Sequence, residues 1–115
     1  MSNDGERPTV VLVMFEWGLE YPLWDRSPGG IGPVDAETLG VSSKLAGQLR
    51  EWSAEQDDLS TGPDHLEWRS HEAHLDWRRR GLHLAYALQD DVGFEIEVRY
   101  FEDGDERPVR ERRGP

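Results

Sequence analysis

DHLEWRSHEAHLDWRRRGLHLAYALQDDV, residues 64–92 of a 115-residue chain, reads as a long helix, and the other elements make sense as its cover. Successive helical residues stand about 100° apart, so Leu66, Ala73, Trp77, Leu84 and Leu88 share one face. Trp68, Leu75, Leu82 and Tyr86 share the opposite face. A surface helix needs one apolar stripe, and two stripes predict burial on two sides. Asp64, after Pro63, suits an N-cap with Glu67 three residues on, and Gly93 suits a C-terminal stop. Gly81 interrupts the pattern, since glycine inside a helix costs about 1 kcal/mol relative to alanine. Unbroken, the helix would run roughly 40 Å at about 1.5 Å per residue. A kink or break near Gly81 is therefore expected, giving helices over 64–80 and 82–92.

Toward the N-terminus, residues 9–17 (TVVLVMFEW) are β-branched and aromatic with almost no polar alternation. Such a strand is covered on both faces and sits centrally in its sheet. Toward the C-terminus, Phe94, Ile96, Val98 and Tyr100 alternate with Glu95, Glu97 and Arg99, the pattern of a half-buried strand with one wet face. Residues 43–56 carry Leu45, Leu49 and Trp52 at helical spacing, with Ser42 or Ser43 to cap them. Between first strand and helix, residues 18–41 lack periodicity; Pro22, Pro28, Gly29, Gly30, Gly32 and Pro33 prevent a continuous element.

The order is strand, loop, helix, helix, strand. Two strands alone are marginal in water, so a third must come from the loop, near residues 31–34, or from a second copy of the chain. A returning segment in the loop would make the two main strands parallel; without one they would run antiparallel. The expected class is α/β (α+β-like): a small two-layer sandwich, with a short sheet of two or three strands covered by two helices. Residues 1–8 read as a flexible tail, 9–103 as a single globular domain, and 104–115 as a charged, disordered tail.

The formal charge is −11, unevenly spread. Residues 1–76 hold fifteen acids against five bases and 93–106 six acids against one, whereas 107–115 hold four arginines against one glutamate. Such a surface repels nucleic-acid phosphates and anionic lipid headgroups and attracts a basic protein. Acidity that serves solubility alone is the plainer alternative. The chain has no cysteine, which excludes disulfides and thiolate chemistry. The apolar run at 10–15 is too short for a signal-peptide core or a membrane span, so a cytoplasmic protein is expected.

Past the first strand, Trp17, Glu20, Tyr21, Trp24 and Asp25 gather aromatics and acids. Ligands of open α/β sheets bind beyond the carboxyl ends of strands, and Trp and Tyr concentrate at the energetic centres of interfaces. The competing reading is a lid, in which Trp17, Tyr21 and Trp24 fold back over a bare sheet face. On the helix, Glu67, His71, His74 and Arg78 fall within about 60° of one another, so three ligands could reach one metal. The run His71-Glu72-Ala73-His74 has one residue too few for a zinc-protease motif, and its charged flanks favour a solvated surface. Gly-rich residues 27–33 lack the Lys and Ser/Thr that complete a phosphate loop. No Ser or Thr sits in a nucleophile elbow, so the expectation is a protein that is not an enzyme and needs no cofactor.

Phe15-Glu16-Trp17-Gly18, Leu45-x-x-x-Leu49-x-x-Trp52 and Val98-Arg99-Tyr100 make residues 10–101 similar to short uncharacterised acidic proteins of high-G+C Gram-positive bacteria. The resemblance implies a bacterial cytoplasmic protein and brings no activity with it. Size and charge point to a protein-binding module, most sharply an immunity protein or antitoxin that neutralises a basic toxin, a nucleic-acid-cutting one among the options. Glu20, Asp25, Asp57 and Asp58 are the expected charge contacts, and Tyr21 and Trp24 the aromatic anchors. Two alternatives stand beside it: a small-ligand or metal-binding protein using Glu67, His71 and His74, and a homodimeric structural subunit.

Overall fold

The computed structural model describes residues 8–16, 19–30, 32–61, 67–68 and 71–114; for 56–61 and 67–68 it describes the backbone alone. Of the apolar run at 9–17, Val10–Val13 forms a strand, β1, at the centre of a three-stranded sheet. Its first neighbour comes from the long loop. Leu23–Asp25 (β2) returns antiparallel, placing Leu23 beside Val13 and Asp25 beside Val11. The chain continues through α1 (Ala36–Leu39), α2 (Ser43–Leu59), β3 (Ser60–Thr61), β4 (Glu67–Trp68) and α3 (His71–Val92). It then enters β5 (Glu97–Tyr100), parallel to β1, with Val11 beside Val98 and Val13 beside Tyr100. The loop thus supplies both the third strand and the parallel arrangement that a returning segment requires. That strand lies earlier than residues 31–34, where Pro33 makes only an isolated bridge to Trp24.

Strand alternation sorts the sheet into two faces. Val11, Val13, Leu23, Val98 and Tyr100 are fully buried on the face under the helices. Val10, Trp24, Glu97 and Arg99, on the other face, are each half-buried. Above the buried face, α2 and α3 run antiparallel. At one end Ser42 caps α2, its Oγ accepting from the Leu45 amide at 3.1 Å, while its own N–H donates to Asp91 of α3 at 2.9 Å. Near the other end Trp52 and Trp77 stack at 4.2 Å and 8°. Each indole N–H donates to the other residue's carbonyl, at 2.8 and 2.9 Å. This reciprocal pair satisfies two buried donors and fixes the register of the helices.

Gly81 does not break the helix; α3 runs unbroken from His71 to Val92. The reason lies across the interface. A Cβ on Gly81 would stand 2.4 Å from Trp52 Cζ2 and 2.4 Å from Tyr100 Oη. The glycine lets the Trp52 ring and the Tyr100 hydroxyl approach the helix backbone, where Tyr100 donates to the Arg78 carbonyl at 2.7 Å. Trp77, Gly81, Ala85, Leu88 and Val92 form the buried stripe. On the second face Leu82 and Tyr86 pack against the core, while Leu75 is exposed.

Three other boundaries differ from expectation. The long helix starts at His71; the expected cap Asp64 lies outside the described residues, and Glu67 and Trp68 are extended, paired with Ser60 and Thr61. Their backbone groups enter a ladder with the two residues that directly follow α2, which runs on to Leu59. Phe94, expected inward with Ile96, is 81% exposed, because β5 begins only at Glu97. The charged segment from 104, expected as a disordered tail, instead folds against the domain through a 3-10 turn at Val109–Glu111. Val109 is fully buried. Arg112 pairs with Asp103 at 2.6 Å and also donates to the Asp105 carbonyl, and the Gly114 amide donates to Tyr86 Oη at 3.1 Å. This segment is the cover that the second apolar face of α3 calls for. Among the described residues, no helix is long and apolar enough to cross a membrane.

Candidate functional site

The residues expected to form one contact site are distributed. Tyr21 is buried, and its hydroxyl donates to Glu37 at 3.1 Å beneath the Arg50 guanidinium, which lies 5.8 Å from the ring centroid. It therefore props the loop from inside. Glu20 is exposed and pairs with Arg50 at 3.2 Å. Trp24 is half-buried on the sheet face away from the helices; its indole N–H donates to the Met14 carbonyl at 3.2 Å and Arg26 lies 5.9 Å from its ring. Asp25 turns into its own loop, accepting from the Ser27 amide at 2.9 Å. The strand register puts Asp25 beside Val11 near the start of β1, whereas Glu20 belongs to the loop that follows β1. Asp57 and Asp58 lie in the last turn of α2, and their side chains, like Trp17, lie outside what is described.

The histidine group keeps its helical spacing only in part. His71 is exposed at the start of α3, and His74 is half-buried with its ring 6.4 Å from Trp77. Burial, then the charges of Arg78 and His71, hold the His74 imidazole below its ordinary value. Glu67 sits in β4, off the helix, and its side chain is outside the described residues. Among the described residues, no group of three His, Asp or Glu is placed to hold a metal ion.

Two surface features escaped the sequence reading. Between α2 and α3 lies an open cleft of about 270 Å³, lined by Gln48, Glu51, Trp52, Glu55, Arg80, His83 and Leu84. Arg80, one of its lining residues, bridges Glu55 at 2.7 Å and Asp76 at 2.9 Å. The helical spacing of Glu51 with Glu55, and of Arg80 with Leu84, could have signalled it.

The second feature is the turn after α3. Gly93, at φ +81°, ends the helix. The buried Gln89 amide then donates to the Gly93 carbonyl at 2.9 Å and the Ile96 carbonyl at 2.8 Å, and accepts from the Val98 amide at 3.0 Å. Arg110 donates to the Phe94 carbonyl at 2.7 Å, its guanidinium 4.4 Å from the Phe94 ring centroid. Phe94 thus projects from a turn tied down on both sides. The alternation of residues 94–100 hid this, because Phe94 fits the strand pattern in phase.

Fold and surface define a small, compact α/β protein that exposes dispersed acids, a shallow cleft and a projecting phenyl ring. Residues 9–103 match the family model described as Serratia CdiI immunity protein-like, and the chain belongs to that family. The match spans every strand and helix up to the last turns of the chain, and it says nothing about the high-G+C Gram-positive proteins that residues 10–101 resemble. No curated protein matches the chain.

Proposed function

We propose that this chain is an immunity protein that binds a protein toxin and holds it inactive in the cytoplasm, and that the toxin's contact surface is basic. Membership of the immunity family, over residues 9–103, carries the reading. Charge supports the finer part: at −11 the chain would steer a basic partner toward itself and speed association. Glu20, Asp57 and Asp58 contribute acidic contacts in this reading and Trp24 an aromatic one. Tyr21 contributes by holding the loop rather than by touching the partner.

The test has two stages. The chain is used as bait in lysate of its native host at low and moderate salt, and a basic protein retained at low salt is the expected capture. That protein is then expressed alone and together with the chain. Growth arrest by the captured protein, relieved by co-expression, supports the reading. A captured protein that is harmless alone, or toxicity that co-expression leaves intact, overturns it.

A further inference from the structure

We infer that the turn following α3 is the anchor of the toxin interface, with the Phe94 ring entering an apolar pocket on a basic face of the toxin. The inference rests on the immunity reading and names the surface that serves it.

Three observations converge on this turn. The first is exposure: at 81%, Phe94 is the most exposed of the large apolar side chains described, and strand β5 would have to start three residues earlier to include it. Burying a phenylalanine side chain is worth about 1.5–3 kcal/mol, so its projection forgoes a stabilisation that the inward-facing Ile96 next door takes up. The second is rigidity. Gln89 holds the carbonyls on either side of the turn and Arg110 holds the carbonyl of Phe94 itself. A preorganised aromatic loses little conformational freedom on binding, which is what gives rigid aromatic anchors their affinity.

The third is charge, which selects the partner. Residues 89–97 (QDDVGFEIE) hold four acids and no base, and α3 has no basic residue in its last turn. The carbonyl end of a helix carries a partial negative charge, so acids there are unfavourable for the isolated domain. Asp91 is used internally, capping Ser42. Asp90 and Glu95 are exposed, and neither makes an ion pair among the described residues. Glu97 is paired with Arg99 and Arg110, and Arg110 also donates to the Phe94 carbonyl, which leaves Asp90 and Glu95 as the acids beside the ring without an ion pair among the described residues. An exposed ring ringed by excess negative charge fits a basic protein face with a central apolar pocket. A second copy of this chain, carrying the same acids, would meet it with like charge.

The probe is the toxin captured above, titrated with wild type, Phe94→Ala, Asp90→Lys/Glu95→Lys and the control Glu51→Gln in the interhelix cleft. Unfolding midpoints first establish that each variant folds, as exposed side chains allow. Phe94→Ala should weaken the complex at least tenfold, chiefly through faster dissociation, as expected for a buried interface anchor. The double Lys variant should slow association about fivefold or more, with the gap closing at high salt. Glu51→Gln should leave both rates within about twofold of wild type. Folded Phe94→Ala and double Lys variants that bind like wild type would overturn the assignment while leaving the immunity reading intact. Failure of the wild type to bind would overturn both. A wild-type dimer that Phe94→Ala converts to monomer would assign the surface to a second copy and likewise overturn it.

Discussion

Alanine at Gly81 tests whether that glycine exists for close packing. Helix propensity alone predicts a gain, since Gly→Ala in a helix interior is worth about 1 kcal/mol. The tertiary structure reverses the sign. A Cβ at this position would lie 2.4 Å from Trp52 Cζ2, 2.7 Å from Trp52 Cε2 and 2.4 Å from Tyr100 Oη. None of these is the free end of a flexible side chain. Trp52 is stacked on Trp77 and hydrogen bonded to its carbonyl, and Tyr100 Oη is bonded to the Arg78 carbonyl. Overpacking of a close-packed core costs about 1–3 kcal/mol, and displacing one such hydrogen bond adds about 1 kcal/mol. Against the propensity gain, the net loss is about 2 kcal/mol, or roughly 10 °C in Tm for a domain of this size. Gly47 in α2 is the matched control, with no atom within 4 Å of its would-be Cβ, so Gly47→Ala should gain about 0.5–1 kcal/mol. Urea unfolding followed by tryptophan fluorescence measures both, with near-ultraviolet circular dichroism reporting the Trp52–Trp77 stack. A Gly81→Ala midpoint at or above wild type, at unchanged m-value, would refute the reasoning.

Gln89→Leu keeps the side-chain volume but orphans the Val98 amide and two carbonyls; it should cost at least about 2 kcal/mol and accelerate hydrogen exchange at Val98, and unchanged exchange there would count against the role of the amide. Truncation after Glu106 removes the buried Val109 and the paired Arg112 and should cost at least about 2 kcal/mol, whereas a dispensable tail would leave the unfolding midpoint where it is. Glu102 supplies a pH test: burial raises its carboxyl above the ordinary value, against the opposing pull of the Phe15 amide, 2.8 Å away, and Arg78. A raised folded value makes the folded state the tighter proton binder, so this group's stabilising contribution is full below the unfolded carboxylate range and is lost as pH rises through the folded value. Glu102→Gln retains an acceptor and does not titrate, so its stability relative to wild type should rise between pH 4 and pH 8; a stability difference, variant minus wild type, that stays constant or falls over that range would contradict the assignment.

The main elements were legible because their periodicities come from the backbone itself. β1 declared itself by an unbroken apolar run, α2 by Leu45, Leu49 and Trp52, and β5 by strict alternation through Val98 and Tyr100. Those patterns, with a loop able to return a strand, determined a two-layer α/β domain before any contact was known. What they left open depended on partners distant in sequence. Whether Gly81 breaks a helix or admits a ring depends on Trp52 and Tyr100, whose positions no local pattern contains. Arg-rich residues 107–113 look like solvated chain until Asp103 and Asp105 meet Arg112 and the core receives Val109. Phe94 satisfies the alternation of a strand, and its outward place in a turn goes with contacts from Gln89 of α3 and from Arg110, neither of which the local pattern contains. Sequence thus determined which segments are helix and strand, since each residue's backbone preference and side-chain period are local. The tertiary structure decided where those segments begin and end and which side chains face out, since both follow from contacts between residues far apart in the chain.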